Sequence, residues 1–439
     1  MSPAYLKAGF PPETEEFMAL LLGAFVLFLL IGMPVSFCMF ISSAMYLIAN
    51  DISLISLVQR VSAGVFSFPL LAAPCFILAG AIMNMGGVTN RIFDWCNKLV
   101  GHIPGGLGHS NVLASIVFAG MSGTAVADAG GLGAVELKAM KDAGYEESFS
   151  LAITAASSTI GPIIPPSLPA VMVGVIGGVS VGRIFIGGIL PGVLMGLMLS
   201  IMVYILSVKR GYPRLPRATF REICTSTQHA FFPLMTVVLA IGGILTGVIT
   251  PTEAGIIALT YATILGFCYR ELNLKKLYSI IVDSSGTTLS VLFIIASGTI
   301  FGWILAIGQV PQTVSTFFMS YITNKWVALL VINILLLLCG CFMETMCAIS
   351  LLTPILMPVA LNYGIDPVHF SIILILNLML GLITPPVGVV LYILSSLSKV
   401  SFDKIVKATM PFLGMLVLAL LIVTFVPPIV TFLPNLVYN

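Results

Sequence analysis

The residues of this chain best placed for chemistry are neutral oxygens. The hydroxyls of Ser122, Thr124, Ser157, Ser158, Thr159, Thr345 and Thr384 stand beside glycine and proline inside apolar stretches. Hydroxyl and carbonyl oxygens suit a small hard cation. The stretch Ser157-Ser158-Thr159-Ile160-Gly161-Pro162-Ile163-Ile164-Pro165-Pro166-Ser167 cannot remain one regular helix. Proline removes a backbone donor and clashes with the preceding turn. Gly381-Leu382-Ile383-Thr384-Pro385-Pro386-Val387-Gly388 repeats it in shortened form. Each break frees carbonyls at one half-helix end and N–H groups at the other. Half-helix N-termini suit a carboxylate. One set of parts can therefore take a cation and an anionic substrate side by side.

Other readings compete residue by residue. Ser, Thr and Gly also let membrane helices pack closely, but duplication of the whole constellation favours a site. Asp128 and Glu344 flank the two candidate tips, and ionisable groups at membrane depth are functional candidates by default. Asp128 can instead cap or hydrogen-bond its own returning arm. Thr250-Pro251-Thr252-Glu253 reads as a capping box, a structural role for Glu253. His102, His109, His229 and His369 fall at span ends, which argues against a histidine proton relay. Gly120-Met121-Ser122-Gly123 matches the Gly-x-Ser-Gly pattern of rhomboid-type intramembrane serine proteases, with Ser122 as nucleophile. That alternative needs a histidine base on another span, and no histidine sits mid-span. A channel would need a continuous polar pore; duplicated midplane breaks favour alternating access.

The elements that position these residues are membrane spans. Of 439 residues, 59% are hydrophobic and 8% charged, against about a quarter charged in soluble domains. Many apolar runs reach about 20 residues, the length that crosses a bilayer. The net charge of +2 does not suggest nucleic acid as a partner. No glycine-rich loop ending in Gly-Lys-Ser/Thr is present, so the chain shows no ATP site of its own. Eight cysteines lie without metal or disulfide spacing and read as free thiols. No cleavable signal peptide is expected, because Glu13, Glu15 and Glu16 flank the first apolar run.

Spans are expected at 17–32 and 34–50, then at 69–87, followed by a polar surface helix with Arg91, Asp94, Lys98 and His102. Two arms at 109–121 and 129–140 are each too short to cross and read as a re-entrant hairpin. The broken helix takes 148–178 and a further span 184–207. A second set follows, with spans at 231–248, 252–268 and 283–307, a hairpin at 326–361, a broken helix at 369–396 and a span at 409–428.

The two sets match in order. Gly86 answers Gly308, Asn111 answers Asn333, Thr124 answers Thr345, and Phe149-Ser150 answers Phe370-Ser371. Gly161 and Pro165-Pro166 answer Gly381 and Pro385-Pro386, and Pro191 answers Pro411. The offset drifts by only two residues. Each set reads as five crossings plus one hairpin, so the second enters from the opposite side and the repeats are inverted. The expected division is residues 1–208, a basic cytoplasmic connector at 209–230, and residues 231–439. Scaffold spans cover 17–68, 184–207, 231–282 and 409–428; transport elements cover 69–178 and 283–396. Lys209, Arg210, Arg214, Arg217, Arg221, Arg270, Lys275, Lys276, Lys399, Lys404 and Lys407 then fall inside by the positive-inside rule, and both termini outside.

At these motifs the chain resembles the large membrane subunit of the tripartite ATP-independent periplasmic (TRAP) transporters. The resemblance covers nearly the whole length and is carried by Phe68 to Gly80, Gly120 to Gly133, Thr154 to Ser167, Gly340 to Thr345 and Thr384 to Gly388. It implies an all-α, inverted-repeat, elevator-type sodium symporter of the inner membrane, not an enzyme. It further implies a small four-helix membrane subunit and a periplasmic substrate-binding protein as partners. Carried over by motif, one sodium site involves Gly120, Ser122, Ser158, Thr159 and Gly161, and a second Gly340, Thr345, Gly381 and Thr384. Substrate would lie between the tips, near Ser122, Thr124, Asp128, Ser157, Pro165, Pro166, Thr345, Pro385 and Pro386. Ala127 to Gly133, Glu136 to Tyr145 and Lys209 to Arg214 resemble the sialic-acid subfamily, with C4-dicarboxylate transport as the alternative. Tyr392-Ile393-Leu394 departs from the usual family pattern beside the second break.

Overall fold

A computed structural model describes residues 12–85, 87–398 and 400–438, with backbone alone for 12–17, Met85 and Ser122. Gly86, Lys399, both extreme termini and the Ser122 side chain therefore lie outside the described residues. Among the described residues every regular element is helical.

The chain opens with α1 (Pro12–Leu30), α2 (Val35–Ala49) and α3 (Ile55–Val65). A 3-10 turn at Phe68–Leu71 bends the path by 59° into α4 (Ala72–Met85). The surface helix α5 (Val88–Val100) follows. The first hairpin runs out along α6 (Gly106–Ser122) and returns through α7 (Ala125–Ala127), a π-helical turn (Asp128–Leu132) and α8 (Gly133–Asp142). The first broken helix is α9 (Glu147–Ser158) and α10 (Leu168–Gly177), and α11 (Val181–Arg210) closes the set.

The second set is α12 (Phe220–Leu245), α13 (Pro251–Cys268), α14 (Leu274–Ile307) and the short α15 (Val310–Tyr321). The second hairpin is α16 (Lys325–Phe342) and α17 (Thr345–Asn362). The second broken helix is α18 (Pro367–Gly381) and α19 (Val389–Leu397), followed by α20 (Phe402–Phe425) and α21 (Pro428–Tyr438). From α4 to α11 and from α14 to α20, the order of span, surface helix, hairpin, broken helix and span is the same.

Several boundaries differ from expectation, each for a local reason. α12 starts at Phe220, not near 231, because Thr219 and Glu222 form a capping box that starts the helix before its apolar part. The basic connector is correspondingly short. α14 begins at Leu274, capped by Asn273, and carries its polar first turns ahead of the apolar run. α21 was not foreseen; Pro427 and Pro428 interrupt the last apolar run and start a new helix. The box at Thr250 and Glu253 is formed as expected. All eight cysteines are free.

Among the described residues, seven helices (α11, α12, α13, α14, α16, α17 and α20) are long and apolar enough to cross a membrane, and the bent α3–α4 pair makes up to eight. The ten expected crossings are not all reached by this measure, since both broken helices are divided into short halves and the apolar parts of α1 and α2 are also short. α16 and α17 pass it, so length separates only the first hairpin from true crossings.

The halves of the chain interlock. α13 packs along α4, whereas α2 and α3 pack along α14. The main apolar core draws on both halves, and a second cluster joins Leu21, Phe25, Met39 and Leu47 to Ile300, Phe301 and Ile304.

Candidate functional site

The two breaks are built alike. The first runs from Thr159 to Ser167 and the second from Leu382 to Gly388. Both Pro165–Pro166 and Pro385–Pro386 peptide bonds are cis. Each break is tied to a hairpin tip through the backbone. Leu168 N–H donates to the Gly123 carbonyl at 3.4 Å, and Val387 N–H donates to the Cys341 carbonyl at 3.3 Å. Gly123 has φ of +64°, and a Cβ there would lie 2.8 Å from the Pro166 carbonyl oxygen. Glycine lets tip and break touch. At the second break the contact is Gly340 on Gly381, where a Cβ on Gly381 would collide with the Gly340 carbonyl.

Behind the tips lie two buried hydrogen-bond hubs. Asn111 Nδ2 donates to Glu136 Oε2 at 2.6 Å and to Thr154 Oγ1 at 2.8 Å, while Ser157 Oγ donates to Asn111 Oδ1 at 2.6 Å. These side chains are at most 2% exposed. In the second set Asn377 Nδ2 donates to Asn333 Oδ1 at 2.7 Å, and Asn333 Nδ2 donates to Thr424 Oγ1 at 3.0 Å. Asn377 stands where the repeat places Ser157, so both hubs join a hairpin's outgoing arm to the first half of a broken helix. Only the first hub contains a carboxyl group.

The break hydroxyls spend their hydrogens on their own helices. Ser158 Oγ donates to the Ala155 carbonyl at 2.9 Å, Thr159 Oγ1 to Ala156 at 2.6 Å and Thr384 Oγ1 to Leu380 at 2.6 Å. What remains is oxygen lone pairs. The final carbonyls of α9 and α18 add partial negative charge at the same places. Thr345 Oγ1 is buried and has no hydrogen-bond partner among the described residues. This is chemistry for a cation.

Between the tips lies a cavity of 450 Å³. Thr124 to Ala127 of the first tip and Glu344 to Met346 of the second line it, together with Leu168 and Pro169 of α10 and Val389 of α19. Three helices, α10, α17 and α19, thus open their first turns onto one space. Ser167 Oγ accepts from Ala170 N–H at 3.1 Å, and Glu344 Oε2 accepts from Cys347 N–H at 3.0 Å. α19 has no side-chain cap. Converging helix N-termini favour a bound anion. Asn84 of α4 and Asp283, Ser284 and Thr287 of α14 form another part of the wall.

The expected residues divide accordingly. Thr124 and Thr345 line the cavity. Ser157 does not, since its hydroxyl is held by Asn111. Asp128 is 2% exposed and packs on Gly161, where a Cβ would strike its carboxylate. Pro165, Pro166, Pro385 and Pro386 shape the breaks without entering the cavity wall. Gly120 backs onto Val237 of α12. Tyr392 stacks on Phe402, with ring centres 4.3 Å apart, and also lies outside the wall.

Sequence reasoning overlooked Glu136, Asn84, Asp283 and the role of both asparagine hubs. Asn111 and Asn333 were visible as a matched pair, and the offset that relates Gly161 to Gly381 would have paired Ser157 with Asn377.

Residues 22–429 match the family described as "Tripartite ATP-independent periplasmic transporter, DctM component". The sialic acid TRAP transporter large permease SiaM of Vibrio cholerae is 43% identical over 92% of this chain and 95% of its own length. The sialic acid TRAP permease SiaT of Haemophilus influenzae is 40% identical over 98% of this chain and 70% of its own. The C4-dicarboxylate TRAP large permease DctM of Pseudomonas aeruginosa is 37% identical over 84% of this chain and 86% of its own. The solved structure of the YdaH transporter of Alcanivorax borkumensis shares the fold, with a TM-score of 0.63 over 84% of this chain and 86% of that one at 14% identity. MtrF of Neisseria gonorrhoeae does so with a TM-score of 0.64 over 94% and 96% at 12% identity. The chain is a multi-pass membrane transporter and not an enzyme: it belongs to the large permease, or DctM, family of TRAP transporters.

Proposed function

We propose that this chain imports an anionic organic acid by sodium symport, with sialic acid (N-acetylneuraminate) as the substrate. The observation that carries the reading is the meeting of three helix N-termini on the cavity between the tips, beside two helix C-termini that carry hydroxyl oxygens. The first arrangement favours a carboxylate, the second a small cation. SiaM and SiaT, both sialic acid transporters by name, support this substrate; DctM of Pseudomonas aeruginosa keeps a C4-dicarboxylate as the second reading.

In this mechanism one sodium ion sits at the first break with Gly120, Ser122, Ser158, Thr159 and Gly161. Another sits at the second break with Gly340, Thr345, Gly381 and Thr384. Each neutralises a helix C-terminus and orders the tip tied to it. The substrate carboxylate then binds the completed N–H and hydroxyl surface with Thr124 and Thr345. The hairpins and broken helices of two inverted repeats move as one transport domain against a scaffold, an elevator motion in which only empty or fully loaded tips cross. A small membrane subunit enlarges the scaffold, a periplasmic binding protein delivers substrate, and the assembly lies in the bacterial inner membrane with both termini outside.

The test is uptake of labelled N-acetylneuraminate into proteoliposomes holding this chain and its small subunit, with binding protein outside. Uptake requiring both binding protein and an inward sodium gradient is expected. Sodium-driven uptake of a dicarboxylate with its own binding protein instead would replace the substrate. Uptake indifferent to sodium would overturn the coupling.

A further inference from the structure

The cavity between the tips has two chemically different walls. One carries the first turns of α10, α17 and α19, where the positive ends of the helix dipoles favour negative charge. Another is a face of α14. Asp283, Thr287 and Val291 recur every fourth residue, which places them on one side of that helix. Asp283 and Thr287 are exposed and line the cavity, as does Asn84 of α4. Ser279 Oγ donates to the Asp283 carboxylate at 3.4 Å. Among the described residues, no basic side chain lines the cavity to offset that carboxylate.

A wall carboxylate in an anion site needs explaining. It does not serve the substrate's own carboxylate, which the helix N-termini attract. Its effect falls on whatever the rest of the substrate presents to α14. We infer that Asp283 is a specificity-determining residue, selecting a monocarboxylate whose far part carries hydroxyl or amide donors and rejecting an acid with a second carboxylate there. A hydroxyl or amide N–H can donate to Asp283 and exchange hydrogen bonds with Thr287. A second carboxylate would meet a like charge in a partly enclosed space where screening is weaker than in water. Discrimination of this kind comes from a built-in repulsion as much as from attraction. Glu344, the other acidic residue of the wall, is engaged as the cap of α17. Asp283 belongs to no hairpin and no break, so it can set selectivity while leaving the cation sites untouched.

The inference rests on the cavity being the site of the transported anion. The test uses the purified complex of this chain with its small subunit, without binding protein, so that selectivity belongs to the permease. Labelled N-acetylneuraminate is bound in saturating sodium and displaced by unlabelled N-acetylneuraminate or by succinate. The wild type should prefer N-acetylneuraminate. Asp283→Asn should shift the ratio of the two affinities about tenfold toward succinate. Thr287→Val removes a hydroxyl without changing charge and should weaken N-acetylneuraminate with no gain for succinate. Asp283→Ser serves if the asparagine variant is not recovered as a monodisperse complex. A ratio within about twofold of wild type in a folded Asp283 variant would overturn the inference. So would a wild type that prefers succinate. No sodium-dependent binding of either probe to the wild type would instead overturn the transport reading on which the inference stands.

Discussion

The Ser157 hydroxyl donates to Asn111 Oδ1 across 2.6 Å, and this bond ties the first broken helix to the outgoing arm of its hairpin. Ser157 is fully buried, so its oxygen acts in positioning the break and not on the cavity surface.

Asn111→Ala removes the hub and leaves Glu136, Thr154 and Ser157 with buried groups lacking this partner. The expected loss is about 3 kcal/mol, because an unsatisfied buried polar group costs its desolvation in full. Asn333→Ala should cost less, because that hub holds no carboxyl group. Thermal unfolding of both variants in detergent checks the order; equal midpoints would remove the special role given to Asn111.

The Gly340–Gly381 contact predicts an asymmetry. A Cβ on Gly381 collides with backbone, whereas one on Gly340 would stay 3.3 Å from its nearest neighbour. Backbone cannot swing aside as a side chain can, so Gly381→Ala should destabilise by about 2 kcal/mol or more. Gly340→Ala should cost less than half of that. Uptake together with thermal stability decides it, and the reverse ranking would show that the second tip and break do not pack as described.

Thr384→Val keeps the shape but deletes the oxygen offered to a cation, whereas Thr384→Ser keeps it. The sodium concentration for half-maximal uptake should rise about tenfold in the valine variant, equivalent to about 1.4 kcal/mol, and little in the serine variant. Thr159→Val should act in the same direction. Unchanged sodium activation in both valine variants, inserted normally, would sink the proposed coupling sites.

Two acidic helix caps should behave differently. Glu344 caps α17 and lines the cavity, so Glu344→Ala should cost about 1 kcal/mol and depress substrate binding. Glu253 closes a capping box at the start of α13, away from the cavity wall. Glu253→Ala should leave both sodium activation and substrate affinity unchanged. Loss of substrate affinity in the Glu253 variant would place that helix end in the binding machinery.

Much of the architecture was legible in the sequence because its causes are local. Clustered prolines break the helix at 162–166 and at 385–386, and an apolar run of given length carries its own membrane preference. Thr250 with Glu253 caps α13 from four consecutive residues. The family also lies in these local motifs. Helix starts were misplaced where a cap lies in polar sequence ahead of the apolar part, at Thr219 and Asn273. α21 lies beyond the last expected span at 409–428, where Pro427 and Pro428 start a new helix.

Where helices break, which residues stand at tips and breaks, and that the pattern occurs twice can all be read from the order of residues. What each of those residues faces depends on how distant helices pack. Ser157 and Asp128 stand among the candidate oxygens in sequence, yet one is held by Asn111 and the other is pressed on Gly161. Asp283 stands in an unremarked first part of α14, yet it lines the cavity with Thr345, more than sixty residues away. Breaks and caps follow from torsion angles and neighbours within a few residues. The direction of a side chain depends on how separate helices cross, and that depends on packing across the whole chain.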